Sequence, residues 1–175
     1  KASPDTFASV LGRGERLFAG KQYGAARAAL DSVKLLADGD DRQLIDLRLA
    51  ECDFHLKRYP AALAALRSYP DRSPARAAEV EYYYLGALRE SGRTDEYDER
   101  LAAFIDRAED PALVERALND LAQFHVLAND DGKAAGVFAD LYRRFPQGAF
   151  AERAAWKAGW WAYRGGDYAE TIRLF

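Results

Sequence analysis

The chain has 175 residues, 49% hydrophobic and 30% charged, with Ala and Leu prominent and only 6 Pro, a balance that favours helix and suffices for a buried core. Its net charge of −3 is spread as interleaved acids and bases, and the longest basic cluster, Arg143-Arg144, is too short for the basic stripe of a nucleic-acid binder. Charges interrupt every apolar stretch well short of the roughly 20 residues a membrane span needs, and the single cysteine, Cys52, cannot close an internal disulfide.

Apolar periodicity predicts helices over 5–19, 23–37, 42–56, 60–69, 74–91, 94–108, 111–128, 131–145, 149–164 and from 168 onward. Gly39 is expected to stop the second helix in a left-handed turn, and Gly92 and Gly165-Gly166 to stop later ones. Pro60 suits a first helical turn, where its missing N–H costs nothing. Ser73-Pro74 and Asp110-Pro111 each offer a capping oxygen followed by Pro at the first helical position. Helix 42–56 carries Leu44, Leu47, Ile45, Leu49, Cys52 and Leu56 on two adjoining faces, so it must be covered from two sides. The chain lacks Met, opens Lys-Ala-Ser-Pro and stops at Leu174-Phe175 inside an apolar pattern, which leads us to expect an excerpt of a longer, processed protein.

Three series recur along the chain. Small residues Gly14, Ala50, Gly86, Ala122 and Gly159 are spaced by 36, 36, 36 and 37. Eleven or twelve residues after each come Ala26, Ala62, Tyr97, Ala134 and Thr171, and four residues later Leu30, Leu66, Leu101, Phe138 and Phe175. Each period is expected to be a helix hairpin in which the small residue admits the second helix and the large one fills the groove between them. A hairpin of this size cannot bury both faces alone and stacks on its neighbours. The expected units are 5–38, 42–70, 74–108, 111–145 and 149–175 of one all-α helical-repeat domain spanning 1–175.

The pattern resembles the tetratricopeptide repeat. Leu118, Leu121, Ala122, His125, Ala134, Phe138 and Pro146 follow its signature closely, and Leu49, Ala50, Ala62, Leu66 and Pro74 do so in part. Asp46 and Asp53 stand where that family has aromatics, Tyr97 takes an alanine slot, and Arg13 a leucine slot. The resemblance implies a right-handed superhelical solenoid of about five antiparallel hairpins. A narrower likeness covers Phe145-Pro146, Ala151-Glu152, Ala154-Ala155-Trp156, Gly159 to Arg164 and Gly166-Asp167-Tyr168. That run looks like repeats in the N-terminal superhelical arm of bacterial soluble lytic murein transglycosylases. The likeness implies a periplasmic cell-wall scaffold whose catalytic domain lies outside this chain. The alternative is a stand-alone, cytoplasmic adaptor binding a partner peptide in a concave groove. Of the Lys/Asn set used by carboxylate-clamping adaptors, only Asn119 has a counterpart.

No catalytic, cofactor-binding or metal-ligating residue is assigned. Cys52 and His55 share a helical turn, but a structural zinc needs four ligands and no second Cys/His pair exists. His125 is expected to be a packed core histidine. Asn129-Asp130-Asp131-Gly132 and Asp38-Gly39-Asp40-Asp41 lack the ligand spacing of a calcium loop and read as turns. The residues singled out as a ligand or partner surface are Trp156, Trp160 and Tyr163 at helical spacing, with Arg153 and Arg164. Stacking aromatics beside a cation suit a peptide or sugar such as peptidoglycan. The other account has these aromatics filling a junction with a following unit, with self-association through Trp160, Trp161 and Phe175 as a consequence. Tyr82, Tyr83 and Tyr84 raise the same question, since three in a row cannot share one buried face.

Overall fold

Thr6 opens the first helix by accepting the Ser9 N–H on its Oγ1 at 3.3 Å. In this computed structural model residues 6–69 and 74–175 are described, and every regular element among them is helical. The chain divides into two compact units, Lys1–Ala103 and Phe104–Phe175.

The first unit holds α1 (Phe7–Ala19), α2 (Tyr23–Val33), a 3₁₀ turn (Lys34–Leu36), α3 (Gly39–His55), α4 (Tyr59–Arg67), α5 (Pro74–Glu90) and most of α6 (Thr94–Arg107). Val10, Leu30 and Val33 pack with Ile45 and Leu49 of α3 into one buried cluster. Ile45, Leu47, Ala50 and Cys52 are buried around α3, which touches α2, α4 and α5, so this helix is covered from more than one side as its pattern requires. The second unit holds α7 (Pro111–Leu127), α8 (Asp131–Arg144), α9 (Ala151–Arg164) and α10 (Tyr168–Leu174). Its core gathers Leu118, Ala122, Ala134, Phe138, Leu141, Ala154 and Ala158.

All five hairpins close in the same way. The second residue after each first helix is left-handed: Lys21, Lys57, Gly92, Asn129 and Gly166, with φ between 57° and 80°. The N–H of the next residue then donates to the carbonyl five residues back: Gln22 to Leu17, Arg58 to Asp53, Arg93 to Leu88, Asp130 to His125 and Asp167 to Ala162, at 2.8–3.0 Å. This is the Schellman closure, which satisfies carbonyls that a helix end leaves open. It repeats at the period of the small-residue series. Asp110 caps α7 through the N–H groups of Ala112 and Leu113, with Pro111 at the first position as expected. Ser73 lies outside the described residues.

Some expectations need correction. The second helix ends at Val33, and Gly39 (φ +48°) is the first residue of α3, not the stop of α2. The intervening Leu35 and Leu36 fall off the apolar stripe and are exposed, so burial offers nothing to extend α2. Helix α9 starts two residues later than expected, at Ala151. At Gly14 and Gly159 an added Cβ would stand 2.6 Å from Leu30 Cδ2 and 2.8 Å from Phe175 Cε2, the intended pairing of small and large residues. Phe175 nevertheless stays 70% exposed, unlike its counterparts Leu30, Leu66, Leu101 and Phe138. At Gly86 the close neighbour is Phe54 of α3, 2.9 Å from such a Cβ, not Leu101. Tyr97 is buried in the alanine slot.

Candidate functional site

Helix α9 is set in place by α7. Glu115, buried on α7, accepts the Phe150 N–H at 2.9 Å, a carboxylate at the N-terminal end of α9 where positive partial charge gathers. Gly148 passes so close that a Cβ there would lie 2.1 Å from Glu115 Oε1. Nothing in the sequence pattern marked Glu115, because its partner is a backbone N–H 35 residues away.

On α9, Trp156, Trp160 and Tyr163 lie side by side, 52%, 45% and 54% exposed. The indoles are parallel within 3° at 6.2 Å, Trp160 and Tyr163 follow at 6.2 Å, and Tyr168 meets Tyr163 edge-on at 5.9 Å. Trp161 turns the other way, stacking on Phe138 at 6.0 Å and lining a groove of about 350 Å³ with Ala135, Ala139 and Leu174. Trp161 thus packs back onto α8, while the other three aromatics keep an open face. Arg153 is drawn away from the ladder: its guanidinium donates to Asn119 Oδ1 and lies 5.2 Å from the Phe150 ring. Asn119, the clamp candidate, is thus buried and engaged. Arg164 is exposed at the end of α9. The cation among the indoles is Lys157, its Nζ 5.5 Å from the Trp156 ring and 5.8 Å from that of Trp161. Its i,i+4 spacing to Trp161 was readable in the sequence.

The tyrosine run splits as its spacing demands. Tyr83 packs edge-on to Phe54, Tyr84 donates to Glu96 at 3.1 Å under the Arg100 guanidinium, and Tyr82 is half-buried. His55 stacks on Tyr23 at 4.0 Å, and His125 is half-buried against Phe124. Burial and the charges of Glu51 and Asp53 push the Cys52 thiol up to about 12, so it is a poor nucleophile. No group of three metal-ligating side chains converges among the described residues. Asp130 caps α8 through the Lys133 N–H at 3.1 Å, the turn role expected of it.

A second feature was not anticipated. On the face shared by α1, α3 and α5, Arg48 gathers three carboxylates: Glu15 at 3.4 Å, Glu51 at 2.6 Å and Glu79 at 3.1 Å. Its guanidinium also lies 4.8 Å from the Phe18 ring. Glu51 is fully buried, and burial with the nearby Glu79 charge pushes its carboxyl up to about 8 despite Arg48. Burial works against the Arg48 charge too, but Glu51 and Glu79 outweigh it and hold the guanidinium protonated. In the tetratricopeptide signature the Asp53 position is aromatic; here the buried carboxylate takes Arg27 of α2 at 2.8 Å and Arg58 at 3.5 Å, an ion pair in place of a ring.

These helices and their repeated closures define a tetratricopeptide-like helical-repeat fold. Solved structures agree. A Rap protein complexed with Competence and Sporulation Factor is similar at TM-score 0.68 and 16% identity, covering 96% of this chain and 51% of its own. The apo form of RapI gives 0.68 at 9% identity, with the same coverage of 96% and 51%. A Podosopora anserina putative kinesin light chain with nearly identical TPR-like repeats gives 0.63 at 14% identity, covering 99% of this chain and 93% of its own. The chain spans about half the length of the two Rap structures. No family model and no curated protein matches it. None of the three structures is described as a cell-wall enzyme.

Proposed function

We propose that this chain is a non-catalytic scaffold that binds a peptide segment of a partner protein on its first helices. The observation that carries this reading is the ladder Trp156, Trp160 and Tyr163, three large side chains kept about half in solvent although Trp161 beside them is packed inward. Exposing such rings gains nothing for folding, and rigid aromatic faces beside a cation are what anchor a peptide. The Rap protein of like fold, solved in complex with a factor, supports a binding role. Panning a random peptide library against the purified chain tests it. Enriched peptides should bind, and a Trp156→Ala/Trp160→Ala double variant should lose most of that affinity. Failure to enrich any sequence would contradict the reading.

A second reading makes the chain the arm of a periplasmic peptidoglycan lytic transglycosylase. Its support is the likeness of residues 145–168 and the parallel indoles, which offer a flat face to a sugar ring. Co-sedimentation with purified peptidoglycan, lost in the same double variant, is its expected outcome; a chain left wholly in the supernatant would remove it.

A further inference from the structure

The carboxylates around Arg48 are under-supplied with donors. Glu51 Oε2 accepts from Arg48 Nη1, but Glu51 Oε1 is buried without a hydrogen-bond partner, and so is Glu15 Oε1. Burying an acceptor with no donor is costly. Charge is unbalanced as well, since even with Glu51 protonated Glu15 and Glu79 share the single Arg48 guanidinium. On the α2 and α4 sides the cations are committed elsewhere: Arg27 and Arg58 to Asp53, and Arg67 to Tyr84 and Glu96. The cluster is not sealed, because Glu15 and Glu79 each keep about a third of the side chain in solvent, 34% and 33%. A metal is a poor fit, with a guanidinium at the centre of the set and no metal-ligating group converging among the described residues.

We propose that Glu15, Glu51 and Glu79 form a receptor for one basic side chain, arginine or lysine, of the partner peptide, seated beside Arg48 between α1, α3 and α5. This rests on the peptide-scaffold reading above and adds the charge of the peptide it takes. The entering side chain supplies the N–H donors that Glu15 Oε1 and Glu51 Oε1 lack and offsets excess negative charge. It is also linked to a proton. The groups acting on Glu51 are Glu79 from α5 and Arg48 and Cys52 on its own helix, with Glu15 of α1 joined to the cluster through Arg48. With its carboxyl pushed up to about 8, Glu51 carries a proton at pH 7 in the free protein. A second cation favours the ionised form, so binding releases that proton and tightens by about tenfold from pH 7 to pH 9.

The test is fluorescence anisotropy with a labelled, end-blocked alternating alanine–arginine peptide, and an alanine–aspartate peptide as control. The arginine peptide should bind with the stated pH dependence, and the aspartate peptide should not bind. Glu51→Gln and Glu79→Gln should each weaken binding by about tenfold, the loss of a charge-assisted contact. Glu51→Gln should also abolish the pH dependence, while the exposed Glu99→Gln should bind as the parent does. Glutamine matches protonated glutamate in shape, and circular dichroism will show that each variant keeps its helices. Equal binding of both peptides, or unchanged affinity in the Glu51 and Glu79 variants, would overturn the proposal. So would free arginine competing as well as the peptide. If these fail while library-selected peptides still bind, the scaffold reading survives and only the basic-residue receptor falls.

Discussion

Lys21, Lys57 and Asn129 hold the left-handed backbone that Gly92 and Gly166 hold in the other hairpins. A side chain at such a site costs of order 1 kcal/mol relative to glycine, partly offset by glycine's greater chain entropy. Lys21→Gly should therefore stabilise the chain by about 0.5–1 kcal/mol in urea unfolding. Gly148→Ala should destabilise it by about 1–3 kcal/mol, because its Cβ meets the Glu115 carboxylate that holds the start of α9. Glu51 makes a pH prediction. Its folded-state value near 8 lies above the ordinary 4.5, so the folded form binds the extra proton. Its contribution to stability is fully present below about 4.5 and is lost as pH rises through about 8. Unfolding midpoints of the parent should fall across that window relative to those of Glu51→Gln.

At the scale of the helix pair, stability comes from small residues receiving large ones. Phe138→Ala should cost about 2–5 kcal/mol and Ala122→Leu about 1–3 kcal/mol, both read from chemical denaturation. The hairpin boundaries were legible in the sequence because periodicity, Asp110-Pro111, Gly92 and Gly165-Gly166 are all local signals. The left-handed lysines were not, since lysine carries no turn preference and only the repeat register places it. Gly86 misled because its neighbour, Phe54, belongs to the preceding hairpin, and period alone does not say which helix fills a gap. The site was half legible for the same reason. Spacing put Trp156, Trp160 and Tyr163 on one face, but Arg153 is taken by Asn119, and the Arg48 carboxylates come together from three helices.

At the scale of the whole chain, the described residues form ten helices in five like-closed hairpins, and the unusual features sit on first helices: the aromatic ladder on α9 in the second unit and the acidic cluster around Arg48 on α1, α3 and α5 in the first. Among the described second helices, α10 carries exposed Tyr168 and Ile172 with Phe175 just beyond it, while α2, α4 and α8 expose no large apolar side chain. The most direct measurement is amide hydrogen exchange with and without a library-selected peptide. Protection is predicted in the first helices, on α1, α3 and α5 or on α7 and α9. Protection confined to α2, α4 and α8 would contradict the account, because it would place the partner on the helices that carry neither feature.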